Sequence, residues 1–174
     1  MKERKLLHII TAIGIAGWAL LFRRKGDFKD WFLIYLFKTL VSTLIDSPVT
    51  KAKYVQYPNR YFSKLFDSNI VFLYILFPLS CVMYNQLTYK MKPMKTIFSV
   101  FLFSVPMALI ENILEKNTNL VEYRKGWNGY YTVAVLSVTF WIVRLFIEGI
   151  RFIEKKRKPA DDTPKQEFSR VEFY

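Results

Sequence analysis

Two glutamates spaced four residues apart are the first groups in this chain that could do chemistry. Glu111 and Glu115 lie in the stretch PMALIENILEKNTNL, where an apolar segment passes into a polar one. Their spacing places both on one face of a helix. Together with Asp46 and Asp67, which we expect on the same side of the molecule, they could bind a cation or handle protons. The alternative interpretation is that acidic residues are simply tolerated where helices reach water.

Three further charged residues lie inside apolar segments. Lys38 stands in the middle of one, where a charge is costly unless it reaches water or finds a partner. We interpret it as snorkelling to a membrane surface or as pairing with a carboxylate of another helix. Arg144 and Glu148 are four residues apart and are predicted to pair with each other. Counting helical rise separates Arg144 from Glu111 by about 15 to 20 Å along the membrane normal, so no contact between them is expected.

Two prolines interrupt apolar segments and predict helix kinks. Pro78 and Pro106 each lack a backbone donor, which frees the carbonyl four residues earlier, that of Tyr74 and of Leu102. Broken helices line substrate sites in transporters. Prolines also occur in membrane helices as packing features, so this pattern by itself does not decide between a substrate site and a packing role.

The familiar catalytic motifs are missing from the sequence. There is no Walker loop, no G-x-S-x-G and no Cys/His ligand set. The single histidine, His8, is interpreted as an interfacial residue, and the single cysteine, Cys81, as a buried, inert thiol. We therefore expect no cofactor and no metal, and we expect that the protein is not an enzyme.

Apolar blocks of membrane length must position these residues. The chain has 174 residues, of which 52% are hydrophobic, and a helix needs roughly 20 residues to cross a bilayer core. The sequence predicts an all-α polytopic membrane bundle with about five transmembrane helices in one domain, 1–153. The second segment could instead be re-entrant or interfacial, and the first is expected to be retained rather than cleaved. The predicted spans lie near 6–22, 28–45, 67–87, 96–114 and 129–150.

Small residues in the first segment predict close helix packing. Gly14 and Gly17 stand in AIGIAGW, which is not a true G-x-x-x-G motif. We therefore expect them to serve packing within the bundle rather than a specific dimer.

Lys and Arg side chains predict the orientation. The face carrying the C-terminus holds fourteen of them and the opposite face ten, so the C-terminus is predicted to be cytoplasmic. The formal net charge of +12 is placed beside apolar segments, where anionic headgroups are the nearer partner and nucleic acid is not expected.

Two segments are predicted to lie at the lipid headgroups. One is the aromatic loop Tyr54–Phe66, since Tyr and Phe rings favour the interface. The other begins the tail, 154–174, which is predicted to be basic and disordered. Its headgroup contacts would be Lys155, Lys156, Arg157 and Lys158.

Several phrases together resemble a known family. They are FKDWFLIYLFK, YPNRYF, LFPLSCVMYNQLTYK and ENILEKNTNLVEYRKGW. In this order they resemble an uncharacterised family of small multi-pass membrane proteins from spore-forming Gram-positive bacteria, over roughly residues 1 to 152. The resemblance implies a bacterial cell membrane location. It assigns no activity, so it carries no role onto any residue.

Three functions remain open from the sequence. The first is a non-enzymatic structural or partner-binding membrane subunit, with a membrane protein or a second copy of the chain as partner. The second is a small transporter or channel component using Glu111 and Lys38. The third is a carboxylate-dependent membrane enzyme, since shifted Asp and Glu side chains can serve as acid or base. Polar groups gathered around one cavity would favour the second.

Overall fold

The computed structural model describes residues 2–22 and 28–157, and these are mainly helical. The predicted all-α class is confirmed, apart from one pair of two-residue strands. Arg23, Arg24 and Lys25, which are among the fourteen basic residues counted on the C-terminal face, lie outside the described residues. In chain order the elements are α1 (Lys2–Phe22), α2 (Phe28–Lys51), β1 (Val55–Gln56), a π-helical segment (Val71–Leu76), α3 (Phe77–Leu87), α4 (Pro93–Ser99), α5 (Phe101–Asn117), β2 (Glu122–Tyr123) and α6 (Gly129–Arg157).

Within residues 2–22 and 28–157, four helical stretches are long and apolar enough to cross a membrane. They are α1, α2, the stretch Pro93–Asn117 formed by α4 and α5, and α6. The second segment, which the sequence left open, is a continuous helix of 24 residues. The segment that falls short of membrane length is instead the third. Its helical part, Val71–Leu87, would extend only about 25 Å at about 1.5 Å per residue.

Two predicted boundaries are wrong. α2 continues to Lys51, well past the predicted end at residue 45, so Asp46 lies within a helix rather than at its end. α6 continues to Arg157, so 154–157 form its last turn and not the start of a disordered tail. Within the extra turn of α2 the Thr50 hydroxyl donates to the Asp46 carbonyl at 2.8 Å. Residues 158–174, Lys158 included, lie outside the described residues.

The glycines of α1 allow it to pack closely on the π-helical segment and on α3. A Cβ at Gly14 would lie 2.5 Å from Cγ2 of Ile75, and one at Gly17 would lie 2.9 Å from Cδ2 of Leu79. Any larger side chain would push the elements apart. The predicted packing role of these glycines is confirmed.

Two clusters of buried apolar residues hold the helices together. One is centred on α2, α3 and α6 and includes Ile34, Cys81 and Phe140. The other lies under the loops and includes Leu7 and Leu120. The Cys81 thiol is buried and free, as predicted.

The two loops on one side of the bundle join into a cap, which we define as residues 52–70 and 118–128. Strand β1 pairs antiparallel with β2, and the Asn59 amide donates to the Asn119 carbonyl at 3.1 Å. Val55 and Tyr57 are buried while Phe62 and Leu65 are exposed. The prediction that Tyr54–Phe66 lies on the membrane surface is therefore wrong for Val55 and Tyr57.

Candidate functional site

A cavity of about 60 Å³, lined by both polar and apolar side chains, lies between α2, α5, α6 and the cap. A cavity of this size has room for several water molecules. α2 contributes three polar lining residues at four-residue intervals, which places them on one face of the helix. The polar lining comprises Lys38, Ser42 and Asp46 of α2, Glu111 of α5, Thr132 and Thr139 of α6, and Tyr57 and Trp127 of the cap.

Lys38 lies at the end of the cavity farthest from the cap along α2. Its side chain is 1% exposed, so the snorkelling interpretation is wrong. Its ammonium donates to the Thr139 hydroxyl at 2.7 Å and lies 5.2 Å from the centre of the Phe140 ring. Among the described residues no carboxylate oxygen lies within 4.0 Å of it, so the alternative of a direct ion pair is not seen either. The ammonium is held by a hydroxyl and an aromatic face.

Glu111 lies at the cap end of the cavity. It is 6% exposed, and the hydroxyls of Tyr123 and Thr132 lie beside its carboxylate. The Trp127 indole N–H donates to the Thr132 hydroxyl at 3.2 Å. The hydroxyls that face this carboxylate therefore come from Tyr123 of the cap and from Thr132 of α6. A buried carboxylate in such a setting is stabilised by hydroxyl donors and not by a neighbouring cation.

Asp46 faces Glu111 across the cavity and has spare hydrogen-bonding capacity. The Tyr57 hydroxyl donates to Asp46 Oδ1 at 3.4 Å, and the Ser68 hydroxyl lies beside this carboxylate. Asp46 Oδ2 and the Ser42 hydroxyl are buried with no hydrogen-bond partner among the described residues. Buried polar atoms in native proteins are nearly always paired, so these two atoms indicate a water, ion or ligand in the cavity.

The two cap tyrosines beside the carboxylates stay protonated. Burial raises the pKa of Tyr57 well above its usual value, and the negative charges of Asp46 and Glu111 raise it further. Burial likewise raises the pKa of Tyr123, and the Glu111 charge adds to this. Both phenols therefore act as hydrogen-bond donors to the carboxylates at neutral pH.

Glu3 fastens the cap to the start of α1. Its Oε1 accepts hydrogen bonds from the backbone and side-chain nitrogens of Asn119, at 3.0 Å and 2.9 Å. Its Oε2 accepts one from the Asn59 side chain. One carboxylate thus ties both loops of the cap to the first helix.

We expect Glu3→Ala to loosen the cap. Loss of these hydrogen bonds removes about 1 to 2 kcal/mol of local stability, which is about a 5- to 30-fold change in the opening equilibrium. Hydrogen exchange at the Arg124 amide, which donates to the Tyr54 carbonyl at 2.8 Å, measures it. Glu154→Ala, at an exposed site on α6, is the control. Unchanged exchange at Arg124 would show that Glu3 does not hold the cap.

The other predicted site residues lie away from the cavity. Asp67 is 72% exposed and lies 3.8 Å from Arg60, and Glu115 is half-buried outside the cavity lining. Arg144 pairs with Glu148 at 2.9 Å as their spacing predicts, and it also donates to the Thr88 carbonyl. Of the seven site residues proposed from the sequence, three line the cavity, namely Lys38, Asp46 and Glu111, and the other four do not.

Pro78 and Pro106 both lie within helices, as predicted. One of the two carbonyls that they free accepts a hydrogen bond from another helix. Pro78 follows directly on the π-helical segment, and the Tyr74 carbonyl accepts a hydrogen bond from the Tyr35 hydroxyl of α2. Pro106 lies within α5. The break at Pro78 therefore serves helix packing, because its carbonyl joins the third segment to α2.

Sequence reasoning missed Ser42 and Thr139 as lining residues. A signal for Ser42 was present, since Lys38, Ser42 and Asp46 repeat every four residues on an otherwise apolar helix. It also missed an ion pair at the opposite end of the bundle, where Arg151 Nε lies 2.7 Å from Asp30 Oδ2. Lys155, Lys156 and Arg157 are exposed at the end of α6, in a position suited to headgroup contact.

Neither a metal centre nor a known relative accounts for the cavity. Within 2–22 and 28–157 no group of three His, Cys, Asp or Glu side chains is placed to hold a metal ion. No protein-family model, curated protein or solved structure matches the chain. The resemblance of its motifs to a family of spore-forming bacteria stays a prediction.

Proposed function

We propose that this chain is a small transporter or channel component of a bacterial cell membrane, and that its cavity binds a monovalent cation or a proton. The observation that carries the proposal is the gathering of Lys38, Asp46 and Glu111, from two helices, around one buried cavity. Ionisable groups at membrane depth are costly and mark ion or proton pathways. A structural subunit needs none of them, and no catalytic motif in the sequence favours the carboxylate-dependent enzyme over a transporter.

The charge balance of the cavity selects the ligand. Two carboxylates and one ammonium leave one negative charge when all are ionised. An uncompensated charge in a poorly solvated site is unfavourable, and one monovalent cation or one proton neutralises it. A divalent metal would leave an excess positive charge.

The orientation follows from the Lys and Arg count. We propose that the stretch Val71–Leu87 is inserted as a fifth crossing, which places the cap outside and the basic end of α6 at the cytoplasmic headgroups. The ligand then enters near Tyr57 and Trp127, passes the two carboxylates and meets Lys38. In this arrangement the Lys38 ammonium repels the bound cation and so favours its release.

Flux through the purified protein in liposomes tests the proposal. We expect movement of H⁺, Na⁺ or K⁺, down an imposed gradient, above that of protein-free liposomes, measured with a pH-sensitive dye or radioactive tracers. Binding of the same cations in nanodiscs is the second measurement. Absence of both flux and binding for all three cations would overturn the proposal and favour the structural subunit.

A further inference from the structure

A groove of about 710 Å³ lies where the start of α1 meets the cap. α1 contributes Arg4, Leu7 and His8 to its lining, and the cap segment 58–65 contributes most of the rest. A hydrogen bond joins the two parts, because the Tyr61 hydroxyl lies 2.5 Å from Nδ1 of His8. The groove is separate from the cavity between α2, α5 and α6, since the two share no lining residue.

Two cations in this lining, Arg4 and Lys64, are exposed. Among the described residues neither has a carboxylate oxygen within 4.0 Å. Glu3 precedes Arg4 in the chain, but both of its oxygens accept hydrogen bonds from Asn59 and Asn119. The groove therefore presents positive charge that no direct ion pair neutralises within the described part of the chain.

The third strong base of the lining, Arg60, holds the loop that carries Lys64. Its guanidinium donates to the Tyr57 carbonyl at 2.6 Å and to the Ser63 carbonyl at 3.2 Å, and Asp67 lies 3.8 Å from it. These contacts order the loop before a ligand binds. Such preorganisation lowers the entropy cost of binding.

Exposed apolar side chains stand beside these cations. Phe62 is 67% exposed and Leu65 is 77% exposed, and both line the groove. α1 is long and apolar enough to cross a membrane from Glu3 onward, and Ile9, which follows His8, is 56% exposed. The cations therefore lie at one end of a candidate membrane span, next to a surface that hydrocarbon chains would cover.

We infer that the groove binds the phosphate group of an anionic lipid. Arg4 and Lys64 supply charge-assisted hydrogen bonds to the phosphate oxygens, while Phe62 and Leu65 contact the lipid chains. A free phosphate ion would use the two cations and leave both apolar side chains in water, so a lipid fits the groove better. The bound lipid bridges α1 and the cap. This inference requires that α1 crosses a membrane, and it does not require that the cavity carries a cation.

Hydrogen exchange at the Leu65 amide tests the inference at the groove itself, because this amide donates to the Phe62 carbonyl at 2.8 Å. The wild-type protein is placed in phosphatidylcholine nanodiscs with and without phosphatidylglycerol. We expect phosphatidylglycerol to slow the exchange about fivefold when it is present at about four times its dissociation constant. Inorganic phosphate added to the phosphatidylcholine nanodiscs, at matched ionic strength, is expected not to slow it.

The double substitution of Arg4→Gln with Lys64→Gln is expected to abolish this protection. The matched control is Lys5→Gln with Lys53→Gln, which removes the same charge from α1 and the cap at exposed residues that do not line the groove. The control should keep the protection. A general effect of the anionic membrane surface would appear equally in both variants, so the difference between them reports the groove.

Three results would overturn the inference. One is equal exchange at Leu65 in the wild type with and without phosphatidylglycerol, and another is equal slowing in both double variants. The third is the same slowing by inorganic phosphate, which would assign the groove to a free anion. Cation flux tests the proposed function separately, and its absence would leave these expectations unchanged.

Discussion

Glu111→Gln is expected to weaken cation binding and flux about 30-fold or more, because removing one partner of a buried charge pair costs about 2 to 5 kcal/mol. Glutamine keeps the shape of the side chain and its hydrogen bonds to Tyr123 and Thr132, and it removes the charge. The expected loss is therefore electrostatic. The measurement is tracer binding in nanodiscs together with flux in liposomes.

Glu115→Gln is the matched control for this prediction. Glu115 lies one turn farther along α5 and does not line the cavity, so its change should stay within about twofold, as for a typical surface substitution. Thermal unfolding of both variants separates function from folding. Glu111→Gln should be as stable as the wild type or more so, since it removes a buried charge. Equal effects of the two substitutions on flux would contradict the role given to Glu111.

Lys38→Met is expected to tighten cation binding about tenfold. Lys38 and Asp46 are about 12 Å apart along the helix, and one unit charge at that distance contributes about 1.4 kcal/mol at an effective dielectric constant of about 20. Without the ammonium, two carboxylates face the bound cation and nothing repels it. Release should slow accordingly, so that binding increases while flux falls. Equilibrium binding and flux on the same preparation measure the two effects.

The substitution should leave the fold intact. Methionine fills a similar volume, and the Thr139 hydroxyl still donates to the Leu136 carbonyl at 2.9 Å, so no donor is left unpaired. Lys29→Met is the control, because Lys29 is exposed on the same helix and its loss should change neither quantity. Unchanged or weaker cation binding in Lys38→Met would show that its ammonium does not oppose the ligand.

Lys38 shows what a sequence can and cannot say about a buried charge. A lysine in an apolar block is an anomaly that hydropathy reveals at once. Its environment depends on which residues of α6 face α2, and that follows from the packing of helices distant in sequence. Thr139 is 101 residues away from Lys38, and no local pattern relates the two.

Asp46 shows the same limit at a helix boundary. The sequence predicted that the second segment ends near residue 45, before Asp46. α2 in fact includes Pro48 and continues to Lys51, with Thr50 bonded back to the preceding turn. The extra turn carries Asp46 onto the same helix face as Lys38 and Ser42, and so into the cavity. A second helix that ended at residue 45 would not carry Asp46 on the face that lines the cavity.

The sequence by itself determined the helical class, the apolar segments and the residues whose charges need explaining. These follow from local composition and from the period of the α-helix, which neighbouring residues encode. Tertiary structure alone decided that Glu111, Asp46 and Lys38 share one cavity and that Asp67 and Arg144 do not. It also decided that the two loops pair through β1 and β2 into a cap. These strands have two residues each, which is too short for a sequence pattern to predict them. The physical reason is that burial and partnership arise between segments far apart in the chain, where packing, and not spacing, sets the distances.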